Sequence, residues 1–137
     1  RILSFALIKF IEAALSGERG VEVVKNYNSR WYGTYGQTLM GFDHGDGIKK
    51  REVSNIVMAE ARPFMSQTRE TVFFGGHLHH EVKLDMGGLT YYQLASLSDS
   101  DRWHEINGYT GARRQMTGFL IGRERGMHLQ INLPVMV

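Results

Sequence analysis

The 137 residues carry 16 Lys and Arg against 14 Asp and Glu, a formal net charge of +2, with 42% hydrophobic and 22% charged residues. That balance excludes a disordered or fibrous chain, and the length allows one domain with a real core but hardly two. With no cysteine, disulfide frameworks, thiolate metal sites and cysteine nucleophiles are excluded together, and a reducing, cytoplasmic setting suits the chain.

Taken in order, Leu3 to Leu15 is a helical run polar mainly at Lys9 and Glu12. Helices apolar nearly all round are buried on most sides, so a core helix is expected; the run is too short and too charged for a membrane span or a signal peptide. Gly17 and Gly20 end it. A chain that opens with Arg1 and a core helix reads as one beginning inside a larger domain. Val21 to Val24 reads as a short strand and Asn26 to Gly36 as a loop rich in Asn, Gly and aromatic residues. In that loop Arg30, Trp31, Tyr32 and Tyr35 either stack bases or, more commonly for such residues, pack the loop onto a sheet. Gln37 to Phe42 follows as a strand and delivers Asp43-His44-Gly45-Asp46-Gly47. A helix is expected from Ile48 to Phe64, with its apolar stripe at Val53, Ile56, Val57, Ala61 and Phe64. Asp46 is placed to cap it and Pro63 to end it. Asp43 has two readings: it orients His44, or it meets solvent.

The apolar run Val72, Phe73, Phe74 then ends in Gly75-Gly76-His77-Leu78-His79-His80, which holds half of the six histidines. Imidazoles at i and i+2 leave the same side of an extended chain, so His77 and His79 can face one centre while His80 faces away. A bare His-x-His is more often a solvated turn. Here it follows a buried strand, as His44 does, and the carboxyl ends of strands are where open α/β sheets place their sites. If Gln37 to Phe42 and Glu70 to Phe74 are parallel neighbours joined by the intervening helix, His44, His77 and His79 come to one sheet edge. Beyond them Glu81 to Met86 and Leu89 to Ala95 form a hairpin across Gly87-Gly88. A long polar loop, Ser96 to Gly108, holds Arg102, Trp103 and His104. The last hairpin pairs Thr117 to Arg123 with Met127 to Leu133. Met127, Leu129, Ile131 and Leu133 share one face, with His128 exposed on the other. The two hairpins are expected to form a second, mostly antiparallel sheet packed on the first.

Strand-terminal His44-Gly45-Asp46 and Gly76-His77-Leu78-His79 resemble the last two motifs of the calcineurin-like metallophosphoesterases. That pattern runs Asp-x-His, Gly-Asp-x-x-Asp, Gly-Asn-His-Asp or Glu, a lone His, then Gly-His-x-His; the first three motifs are absent here. The likeness covers nearly the whole chain in order and spacing. It implies an α/β fold of two packed β-sheets flanked by helices, with residues 1–137 as its incomplete distal, carboxyl-terminal half. The stretch from Ser96 to Gly111 is similar to phage and prophage members and to the nuclease-like branch.

By the same resemblance His44 and His77 would ligate one divalent metal and His79 a second, about 3.5–4 Å away. Mn, Fe and Zn all suit imidazole with carboxylate, manganese being favoured. The bridging aspartate and the catalytic histidine belong to the absent motifs, so the catalytic residues are expected in a missing amino-terminal segment and the chain alone is expected to be inactive. The implied substrate is a phosphate ester, DNA included; the alternative is a non-catalytic module that binds nucleic acid or protein and keeps a vestigial metal site. Phosphate or nucleic-acid contacts are expected from Arg30, Arg102, His104, Arg113 and Arg114. No membrane partner is expected.

Overall fold

Val72, Phe73 and Phe74 sit in the middle of the structure because both of their faces find cover. A computed structural model describes residues 2–98 and 113–135. In it the run forms β3 (Glu70–Gly75), the centre of a five-stranded sheet. Its neighbours are β1 (Arg30–Tyr35), β2 (Thr38–Asp43), β4 (Val82–Asp85) and β5 (Leu89–Gln93), in the order β1-β2-β3-β5-β4. The three inner strands are parallel, Phe42 standing opposite Phe74 and Phe74 opposite Tyr92, while β1 and β4 run antiparallel at the edges. The expected parallel pair is therefore present, and a strand buried on both faces reads as a continuous apolar run. A separate two-stranded sheet, β6 (Gln115–Gly122) with β7 (Gly126–Pro134), completes a mixed α/β fold.

Alternate residues of the inner strands serve different cores. Leu39, Phe73, Leu89 and Tyr91 pack with Val53, Val57 and Ala61 of the helical layer. On the opposite face Val72, Phe74 and Tyr92 pack with Met40, Leu94, Phe119 and Met127, so β6–β7 is the cover there. The helical layer is shorter and more broken than expected: a 3₁₀ turn at Lys50–Glu52, α2 (Val53–Glu60) and α3 (Arg62–Met65). No side chain caps either the 3₁₀ turn or α2, so Asp46 does not cap the helix. Pro63 ends α2 by withholding an N–H and crowding the carbonyl four residues back, yet it opens α3 in the first turn, where neither matters.

Other expectations were overturned by pairings between distant residues. Residues 21–27 have no regular structure, whereas the aromatic stretch expected as a loop is β1. The hairpin after the histidines joins the first sheet, because β5 inserts between β3 and β4. In the last hairpin the register passes from Leu120 opposite Leu129 to Ile121 opposite Met127, leaving His128 as the extra residue of a bulge. Such a bulge exchanges faces. Met127 therefore turns into the core while Leu129, Ile131 and Leu133, with Met116 and Leu120, are exposed outside. The helix α1 (Ile2–Leu15) forms as expected but is not buried: Phe10 is 74% exposed, and the helix meets the rest through Phe5 stacked on Tyr27 and Glu12 paired with Lys25. Among the described residues no helix is long and apolar enough to cross a membrane.

Candidate metal centre

Parallel β2, β3 and β5 end on the same edge, and the chain carries His44 out of β2 and His77 out of β3. The two imidazoles meet edge to face, ring centroids 5.2 Å apart at 65°. Their backbones are tied as well, since the Gly76 N–H donates to the His44 carbonyl at 3.1 Å. Gly45 makes this approach possible. Its φ is +97°, and a Cβ there would lie 2.9 Å from the Gly76 carbonyl oxygen. Gly45→Ala should therefore lower stability by about 1–3 kcal/mol, combining a left-handed backbone with a backbone clash. Thermal unfolding of the variant checks this, and an unchanged midpoint would mean the two loops are not held together here.

Asp43 does not meet solvent; it acts on His44 through the backbone of the turn. Its side chain is only 5% exposed, and its carboxylate accepts from the Gly45 N–H and from Arg30 Nη1, the latter at 3.5 Å. Arg30 faces Asp43 directly across the β1–β2 ladder, where opposite charges are favoured. Its guanidinium also grips Glu60, at the end of α2, with two bonds of 2.8 and 2.7 Å, and Tyr32 donates its hydroxyl to the same carboxylate at 2.8 Å. Arg30 is thus committed to a network that pins β1, α2 and the turn before His44. Hydrogen bonds from Arg30 first, then from Tyr32, hold the Glu60 carboxyl below its ordinary value. Burial, then Glu60, pushes the Tyr32 phenol up.

The pH consequence follows from the sign. A depressed carboxyl stabilises the fold above its unfolded value, 4.5 for Glu60, and that contribution is lost as pH falls through the lower folded value. Because the pair is partly exposed, it is worth at most about 1 kcal/mol. Glu60→Gln should unfold at a lower temperature than the parent at pH 6, and the gap should narrow below pH ~4. A gap independent of pH would rule out the Glu60 charge as its source.

The histidine loop is coiled rather than extended. Leu78 N–H donates to the Gly76 carbonyl at 2.9 Å, closing a three-residue γ-turn about His77, whose φ is +69°; His79 has φ +55°. Left-handed backbone is uncommon away from glycine. The i, i+2 argument for an extended chain therefore does not apply to His77 and His79. His80 turns back on the loop, its Nδ1 lying 2.9 Å from the Leu78 carbonyl, while Gln93 Nε2 donates to the His80 carbonyl at 2.8 Å. Gln93 is 1% exposed, a buried amide whose presence in the apolar run Leu89 to Ala95 was the sequence signal for such a support. Among the described residues no group of three or more His, Asp or Glu side chains is gathered as a metal cage. The structure brings His44 and His77 together and does not complete a three-ligand set with His79.

For the expected phosphate contacts, Arg30 is engaged as described. Arg113 is exposed and Arg114 half-buried just before β6. Arg102 and His104 lie outside the described residues, as do Trp103 and most of the loop around it.

No protein-family model matches the sequence, and no curated protein matches it. Among solved structures the chain is similar to a conserved uncharacterized protein, a predicted phosphoesterase, from Streptococcus pneumoniae TIGR4, at 14% identity and a TM-score of 0.42. The alignment covers 82% of this chain and 65% of that one, so the chain spans about two thirds of that protein's length.

Proposed function

We propose that this chain supplies part of the ligand set of a divalent-metal phosphoesterase centre at the carboxyl edge of its parallel strands. The observation that carries the reading is the meeting of His44 and His77, two imidazoles delivered by separate strands to one point, 5.2 Å apart between rings. Neutral imidazole is a common metal ligand, and the donor type suits Mn, Fe or Zn, with manganese favoured. His44 and His77 would hold one ion, and His79 is the candidate for a second. Divalent ions at this edge would polarise the phosphoryl oxygens and lower the pKa of an attacking water.

The chain's own residues do the positioning. Asp43 fixes the turn that presents His44, and Gln93 holds the loop that presents His77. The carboxylates needed to complete such a centre are assigned to a segment bearing the Asp-x-His and Gly-Asp-x-x-Asp motifs, on the same polypeptide or a co-folding partner. The substrate class is a phosphate ester, with DNA as the specific candidate. The test is to supply that segment and assay a generic phosphodiester and single-stranded DNA with manganese. Hydrolysis is expected with the segment and none without it. A complemented protein inactive with Mn, Fe and Zn alike would overturn the reading, and DNA binding by that inactive protein would put a binding module in its place.

A further inference from the structure

The open end of the β6–β7 hairpin is held by a carboxylate that belongs to the histidine loop. Glu81, next after His80, accepts hydrogen bonds from Gln115 Nε2 on β6 and from Gln130 Nε2 and Asn132 Nδ2 on β7, the last at 2.9 Å. An ionised carboxylate only accepts and offers about four lone-pair sites, so three converging amides suit it well. Bonds to a charged acceptor are roughly twice as strong as neutral ones.

The far end of the same hairpin is held by another carboxylate. Glu70, the first residue of β3, accepts from the Met127 N–H at 2.8 Å. Gly126, at φ +74°, lies so close that a Cβ there would collide with the Glu70 carboxylate. The hairpin is thereby strapped along β3, to Glu70 at the start of the strand and to Glu81 beyond the loop that follows it. Only the second strap touches the segment that carries the histidines.

His77 and His79 both hold left-handed backbone. Such backbone is strained and persists only where its surroundings over-determine it. Among the described residues, the anchors on this loop include Gly76 to His44, Gln93 to His80, and Glu81 to the hairpin. The first two come from the sheet that bears the loop. Of these three, Glu81 couples it to the second sheet.

We propose that Glu81 is a positioning residue, using the β6–β7 hairpin as a strut that holds His77 and His79 in their metal-binding backbone conformation. The proposal rests on the metal reading given above. It separates from a simpler role, glue between two sheets, because Glu70 serves that role at the other end.

The experiment titrates the full chain with Mn2+ and follows paramagnetic broadening of the His44 and His77 ring protons. Glu81→Ala and the Gln130→Ala, Asn132→Ala pair should each weaken binding about ten- to a hundredfold, as loss of a ligand's outer support does. Combined, they should weaken it no further than Glu81→Ala alone, since that change already removes every bond the pair makes to Glu81. Glu70→Ala should leave Mn2+ affinity unchanged, and an equal loss in that variant would reduce Glu81 to sheet glue. A second arm needs no metal: amide exchange at Leu78 should speed about tenfold or more in Glu81→Ala and not in Glu70→Ala. If the parent chain alone takes up no Mn2+, the metal reading is decided by the complemented protein described above, and the exchange arm alone decides Glu81. Unchanged exchange at Leu78 in Glu81→Ala overturns the proposal.

Discussion

Replacing His77 by alanine is expected to abolish manganese-dependent phosphodiester hydrolysis in the complemented protein, whereas replacing His128 should change it little. The contrast is one of position, since both are histidines beside a turn. The His77 ring lies against His44 at the edge where two parallel strands end. His128 is the exposed extra residue of a bulge in the second sheet, its ring across Gly122. As the ligand proposed above, His77 should cost more on removal than the 10- to 100-fold typical of removing a ligand's outer partner. The two proposed imidazole ligands are few to begin with, so losing one would leave a largely hydrated ion that the chain does not orient. The measurement is the steady-state rate across a manganese titration for the parent and both variants. Full activity in His77→Ala would refute the metal assignment. Activity regained at high manganese would still place His77 on the ion, because weakened binding is what a lost ligand produces.

Phe73→Ala should cost about 3–5 kcal/mol and bring the unfolding midpoint down by roughly 10–20 °C. Phe73 is 1% exposed and lies between Tyr32 and Tyr91, ring centroids 6.2 Å away on either side, over Val53 and Val57 of the helical layer. Deleting the ring opens a cavity under the only helices that cover this face among the described residues. Against a total stability of typically 5–15 kcal/mol the loss is large. Phe10→Ala on α1 is the control, because that ring is 74% exposed and a surface change of this kind stays within about 0.5 kcal/mol. Chemical and thermal unfolding of both variants give the comparison. Equal losses would mean that Phe73 does not anchor the core between the sheet and the helical layer described above.

Where a stretch of chain carries its own burial pattern, its structure was legible before any coordinates. The run Val72 to Phe74 and the strand before Asp43 read as parallel neighbours with a helix between them, and they are. The turns at Gly87-Gly88 and before Gly126 marked both hairpins. The histidines at strand ends were legible for the same reason, since parallel strands must deliver their carboxyl ends to one edge.

What stayed hidden depends on residues far apart in the chain. Nothing near Arg30 announces that Glu60, thirty residues later, will turn an aromatic loop into an edge strand held to α2. Nothing in the alternation of Met127 to Leu133 reveals a bulge, because one extra residue exchanges faces without altering the pattern itself. The γ-turn at His77 is likewise a product of packing. An isolated chain disfavours left-handed histidine, and anchors from the end of β2, from β5 and from the second sheet help hold the loop in that form. Residue order alone therefore brings His44 and His77 to one edge. How firmly that edge is held depends on Asp43, Gln93 and Glu81, whose partners only the folded chain brings within reach.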